Sequence, residues 1–220
     1  MPPTRRPEPS GRPCEPPAAR TVFLLSPANC AGRRGAILLS ERAAFPLATR
    51  LRDGGAPLGE VFTFLSGLYF RGKIAYGLAF GRAEEGSASV LVITPGRGLV
   101  APDTIVTGDD LRAIAGVGVD LEEPRFREPL ERDAGALAAT LAGEDRVVLL
   151  GSIATGKYVD VIESRLDGRL RFPAAFVGRG DMSRGGLMLR CVLRNEELEY
   201  VPIAGAVRHG KRPPKLEPIP

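Results

Sequence analysis

Two glycine-rich segments carry the residues whose types and spacing could do chemistry. Residues 151–157 read GSIATGK after the apolar run VVLL, matching G-x-x-x-x-G-K, a loop that wraps phosphate with backbone N–H groups at a helix start. Tyr158 stands where that motif has the Ser or Thr that coordinates magnesium, which disfavours nucleotide hydrolysis. A simpler role survives: Gly151, Ser152, Thr155 and Lys157 could hold one phosphate or carboxylate at a helix N-terminus, where the macrodipole favours anions. The alternative is a tight strand-to-helix turn with a helix cap. Residues 177–190 (VGRGDMSRGGLMLR) gather Arg179, Arg184 and Arg190 around Asp181 and Ser183. Arginine presents a planar fork to phosphate, and glycine lets a backbone come close. The alternative there is an ordinary flexible hairpin loop with Arg–Asp pairing. Arg33, in the loop after the first apolar run, would add to the same positive mouth if the sheet brings the segments together. Asp181 could serve as a general base and Tyr158 or Lys157 as an acid, although spacing alone assigns neither.

Composition excludes more than it names. Histidine occurs once, at His209, so a Ser-His-Asp triad, a two-histidine zinc site and a facial iron triad are all disfavoured within one chain. The catalytic residues, if any, stay unknown, and neither a metal nor a cofactor is expected. Cys14, Cys30 and Cys191 are odd in number, widely spaced and without C-x-x-C, which reads as reduced thiols. Cys30 lies close in sequence to Arg33 and Arg34, which could lower its pKa, but no histidine base is near it. The net charge is +4 and the pI about 9.2, yet the first twenty residues contribute +2 and residues 208–220 contribute +3, leaving −1 for the body. A near-neutral body with two basic ends differs from a basic fold. No stretch reaches the roughly 18 uncharged apolar residues of a membrane span, so no membrane partner and a cytoplasmic location are expected.

These candidates must be positioned by a fold. The runs TVFLLS (21–26), SVLVIT (89–94) and RVVLL (146–150) are continuous, apolar and β-branched, as in strands buried on both faces. Alanine- and leucine-rich stretches between them suit helices: two short ones over 36–52 broken at Pro46, one over 73–80 after a turn at Ser66-Gly67, and others over 111–115, 129–142 and 158–166. The alternation predicts an α/β fold, a mainly parallel sheet in a three-layer sandwich. Residues 170–176 read as an edge-like strand, and 187–194 and 198–203 as antiparallel edge strands near the C-terminus. A single domain over 21–207 is expected between a Pro/Arg-rich disordered arm (1–20, seven prolines) and a basic Pro-rich tail (208–220). In such folds ligands bind at the carboxyl ends of the parallel strands.

LSPA (25–28), FLSGLY (64–69) and Met182-Ser183-Arg184 with flanking glycines, in that order, resemble pieces of the bacterial peroxide stress resistance protein family, YaaA type. The run ALAATLAGEDRVVLLGSIATGKYVDVI is similar to that family's helix, strand and A-S-x-x-Y segment, with Ser152 and Tyr158 in corresponding roles. GLVAPD (98–103) resembles a pattern in small uncharacterised bacterial domains. Together the similarities span about 21–190. The resemblance implies an α/β fold with a positive cleft, DNA binding and a part in limiting oxidative damage to DNA. The chain departs from the family where Asn29 replaces the lysine after SPA and where no lysine-rich partner faces the GRGDMSRGG segment, which lowers the charge of the cleft. Two expectations follow: a nucleic-acid-associated protein contacting phosphates, or an enzyme acting on a nucleobase, nucleotide or other small anionic, phosphate-bearing compound.

Overall fold

The computed structural model describes residues 19–154 and 156–216. Its frame is a six-stranded sheet with β1 (Thr21–Leu25) near the centre. β1 pairs in parallel with β3 (Val90–Thr94) on one side and β6 (Arg146–Leu150) on the other; β6 pairs in parallel with β7 (Leu170–Pro173). Two antiparallel strands close the edges: β4 (Gly98–Val100) beside β3, and β8 (Tyr200–Pro202) beside β7. A separate small ladder joins β2 (Ala56–Pro57) to β5 (Ile105–Val106).

The apolar runs lie where continuous hydrophobicity requires, covered on both faces. Phe23 and Leu25 point into one core with α2 (Pro46–Asp53), α3 (Leu58–Ser66), α4 (Leu68–Phe80), α5 (Gly108–Ala115) and α8 (Asp181–Arg194). Val22 and Leu24 point into the other, beneath α6 (Pro124–Thr140) and α7 (Val159–Leu166). The expected three-layer α/β sandwich is therefore the observed one. The short α1 (Arg33–Leu38) precedes α2, and Pro46 opens α2 in the first helical turn, where its missing N–H costs nothing.

Three segments differ from expectation. Residues 187–194 are not an edge strand but the end of α8, and the glycine-rich stretch ahead of them is its first turns rather than a flexible loop. Glycine lowers helix propensity by about 1 kcal/mol per residue, yet here it permits contact. A Cβ on Gly185 would lie 2.6 Å from the Leu68 carbonyl oxygen, and one on Gly72 would lie 2.7 Å from that of Gly185, so α4 and α8 touch backbone to backbone. Tertiary packing overrides the local signal. β7 is an interior strand with Pro173 at its last residue, and a 3-10 turn (Ala174–Phe176) links it towards α8. Residues 208–216 form no regular element; Lys211 passes against Gly178, and Arg208 pairs with Asp160 at 3.4 Å. The arm expected over 1–20 falls almost wholly outside the described residues. No described helix is long and apolar enough to cross a membrane.

The order β4-β3-β1-β6-β7-β8 sets the position of a ligand crevice. The chain leaves β1 towards β3 across the face covered by α4, and leaves β6 towards β7 across the face covered by α7. Adjacent parallel strands whose connections depart in opposite directions open a gap at their carboxyl ends. That gap lies between the residues following Leu25 and Leu150.

Candidate functional site

Ser26 follows β1 and Gly151 follows β6, and the Ser26 amide donates to the Leu150 carbonyl at 3.2 Å. Into this junction α4 sends Lys73, whose Nζ donates to the Ser26 carbonyl at 2.7 Å and to Ser26 Oγ at 2.8 Å. The rest of the ammonium lies over two rings, 4.3 Å from the centroid of Tyr69 and 4.8 Å from that of Phe70. Lys73 is 1% exposed, and no described carboxylate forms an ion pair with it. Desolvation pulls its pKa down to about 7, with the Arg184 cation acting in the same sense and Asp181 opposing it. Near neutrality a large share of Lys73 is thus a free amine beside a serine hydroxyl, the arrangement a general base needs.

Two phenols close the junction. Tyr158, 7% exposed, donates from Oη to the Ser152 carbonyl at 3.0 Å, with the Ser26 hydroxyl beside it. Burial pushes its pKa up, and the Ser26 and Ser152 hydrogen bonds oppose that. Gly151 is required here: a Cβ would lie 2.8 Å from the Ser26 Cβ and 3.0 Å from Tyr158 Oη. Tyr69 stands one turn before Lys73 on α4, with a buried hydroxyl that meets no hydrogen-bond partner of good geometry among the described residues. Burial raises its pKa strongly, while the nearby Arg184 guanidinium favours the anion. Arg184 is held from behind: Nε and Nη2 donate to the Phe176 carbonyl at 3.2 and 3.1 Å, the guanidinium lies 5.5 Å from the Phe176 ring centroid, and Nη1 is 3.7 Å from Asp181.

The sequence candidates divide accordingly. Gly151, Ser152, Tyr158, Asp181 and Arg184 converge on the junction, from the 151–158 loop and the start of α8. Ser183 sits in the same turn of α8, where its Oγ accepts from Arg179 Nη1 at 3.2 Å; Arg179 Nε donates to the Ala175 carbonyl at 3.0 Å. Lys157 is exposed ahead of α7, and Arg33 is exposed at the start of α1. Thr155 lies outside the described residues. Asp160 occupies the first turn of α7, so that helix start already holds a carboxylate. Arg33 and Arg34 do not lower the pKa of Cys30: its Sγ donates to the Ala28 carbonyl at 3.5 Å, and burial pushes its pKa up to about 12. No group of three or more metal-ligating side chains occurs among the described residues.

Lys73 was not among the sequence candidates, and Ser26 and Tyr69 entered only as members of the LSPA and FLSGLY segments, with no role of their own. Lys73 is 47 residues from Ser26, and only the packing of α4 on β1 joins them. One signal was available: α4 is apolar almost throughout, and Lys73 falls on the same face as Tyr69, Tyr76 and Phe80, where a lysine has to be accounted for.

No family model, curated protein or solved structure matches this chain. The site is therefore read from its own geometry: a recessed amine–hydroxyl pair flanked by two phenols and a guanidinium, at the mouth of a parallel sheet.

Proposed function

We propose that the protein is an enzyme acting on a nucleobase, nucleotide or other small anionic compound held at the carboxyl ends of β1 and β6. The observation that supports this most is Lys73: a buried amine with only Ser26 as its hydrogen-bond partner is costly to maintain, and such groups concentrate at functional sites. Ser26, Lys73, Tyr69 and Tyr158 are each under a tenth exposed, so a ligand would reach them only in part. The negative charge of the ligand is inferred from Arg184 and from the balance of Lys73 against Asp181, whose side chain is 68% exposed at the rim.

The test is ligand-dependent thermal stabilisation with free nucleobases, nucleoside monophosphates and inorganic phosphate. At least one is expected to raise the melting temperature. Arg184→Ala should then weaken that ligand roughly 10- to 100-fold, the loss of one charge-assisted hydrogen bond worth about 1.5–3 kcal/mol. Unchanged affinity in an equally stable Arg184→Ala protein would remove the assignment.

Nucleic-acid association, with the peroxide-stress role that the resemblance implies, is the second proposal. It is supported by exposed Arg33, Lys157, Lys211, Arg212 and Lys215. Phosphate-driven binding should weaken steeply as salt rises from about 50 to 200 mM. Replacing Lys211, Arg212 and Lys215 together by alanine should flatten that dependence; no binding at the lowest salt sinks the proposal.

A further inference from the structure

We infer that Ser26 is an acylatable nucleophile, with Lys73 as its general base and the Tyr69 hydroxyl as donor to the developing oxyanion, and that the natural substrate is a small ester or amide. This deepens the enzyme assignment above and rests on it for the identity of the site.

Two features of the geometry and one of the composition converge. The Lys73 amine has one side-chain hydrogen-bond partner, Ser26 Oγ at 2.8 Å, while its second hydrogen bond, to the Ser26 carbonyl, and the flanking Tyr69 and Phe70 rings fix its direction. Serine–lysine pairs perform acyl transfer without histidine, in keeping with a chain whose sole histidine is exposed at position 209. Tyr69 carries a buried hydroxyl that meets no hydrogen-bond partner of good geometry among the described residues, with only the Arg184 guanidinium near it, although buried polar groups are nearly always satisfied. A bound oxygen would satisfy it, and hydrogen-bond donors held ready for an oxyanion are a strong source of rate enhancement. A purely structural role for Lys73 explains less: methionine or leucine would fill the same volume without desolvating an amine.

The step balances as follows. The neutral Lys73 amine takes the proton from Ser26 Oγ as the Oγ–C bond forms at the substrate carbonyl, whose oxygen becomes the oxyanion. Collapse breaks the bond to the leaving alkoxide or amine, which receives the proton from the Lys73 ammonium. Water then attacks the acyl-serine, giving its proton to Lys73, and the acid leaves as Ser26 regains its hydrogen. The charged and titratable groups facing Lys73 are Tyr69 from its own helix, Asp181 and Arg184 from α8, and Tyr158 from the start of α7.

The test treats the whole chain with an alkyl fluorophosphonate, which forms an Oγ–P bond and releases fluoride, and maps the adduct by peptide mass spectrometry. The adduct is expected on Ser26, absent in Ser26→Ala, and formed at a rate that climbs as pH passes through about 7. Lys73→Met, which keeps the volume, should slow it at least about 100-fold, the lower range of general-base effects. An equal rate in folded Lys73→Met, or no adduct on a protein that melts cooperatively, overturns the nucleophile. If a nucleotide or phosphate still stabilises the protein in that case, the binding assignment stands without it; labelled Ser26 with no anion bound leaves the nucleophile standing and the anionic substrate falls.

Discussion

Lys73→Met is expected to be more stable than the parent protein below pH 7, and the advantage should shrink as pH rises. In the folded chain Lys73 titrates near 7, against 10.5 for a free lysine, because burial penalises its charged form. Below pH 7 both folded and unfolded states hold the proton, and the folded state bears the full cost of a desolvated ammonium. Between about pH 7 and 10.5 the folded state has released the proton while the unfolded state retains it, so the unfolded state binds more protons and stability rises with pH. The limiting slope for one proton is about 1.4 kcal/mol per pH unit. Methionine removes the titration and the desolvation together, so the variant should gain on the order of a few kcal/mol at pH 6 and lose this rising contribution. Urea denaturation at pH 6, 8 and 10 measures it; superimposable pH profiles for the two proteins would show that Lys73 keeps an ordinary pKa.

Gly185→Ala should be among the most damaging single-methyl changes available. Its new Cβ would lie 2.6 Å from the Leu68 carbonyl oxygen and 2.9 Å from the Tyr69 Cα, both backbone atoms of α4 that no rotamer change can move aside. Separating the helices should cost about 2–4 kcal/mol, at or above the usual range for overpacking. It should also weaken ligand binding, because α4 carries Tyr69 and Lys73 while α8 carries Asp181 and Arg184. Gly135→Ala is the matched control: an added Cβ meets nothing within 4 Å inside α6, so the change should stabilise by up to about 1 kcal/mol. Denaturation midpoints of the two variants, measured side by side, decide it, and a Gly185→Ala midpoint equal to the parent's contradicts the close contact.

The frame of this fold was legible for a simple reason. β1, β3 and β6 are interior strands of a parallel sheet, and their uninterrupted apolar runs encode burial on both faces. Pro46 and the Ser66-Gly67 turn likewise mark real helix boundaries. α8 was illegible because glycine locally reads as loop; the compensating contact belongs to α4, more than a hundred residues earlier in the chain. The site divides along the same line. Gly151, Ser152, Tyr158 and Arg184 announce themselves through motif-like spacing, whereas Lys73 sits in an apolar helix with no motif around it, and Tyr69 ends the FLSGLY segment with nothing there to mark its hydroxyl. Their meaning arises only when β1 delivers Ser26 to the same point, which no local pattern records.

The crevice sits at the middle of the sheet, between β1 and β6, while both antiparallel strands lie at its margins. Elaboration of the rims, by lengthening β4 or β8 or by grafting new segments beside them, would leave the Ser26–Lys73 junction untouched. Descendants of such a scaffold could exchange their outer decoration while inheriting the same buried amine and hydroxyl.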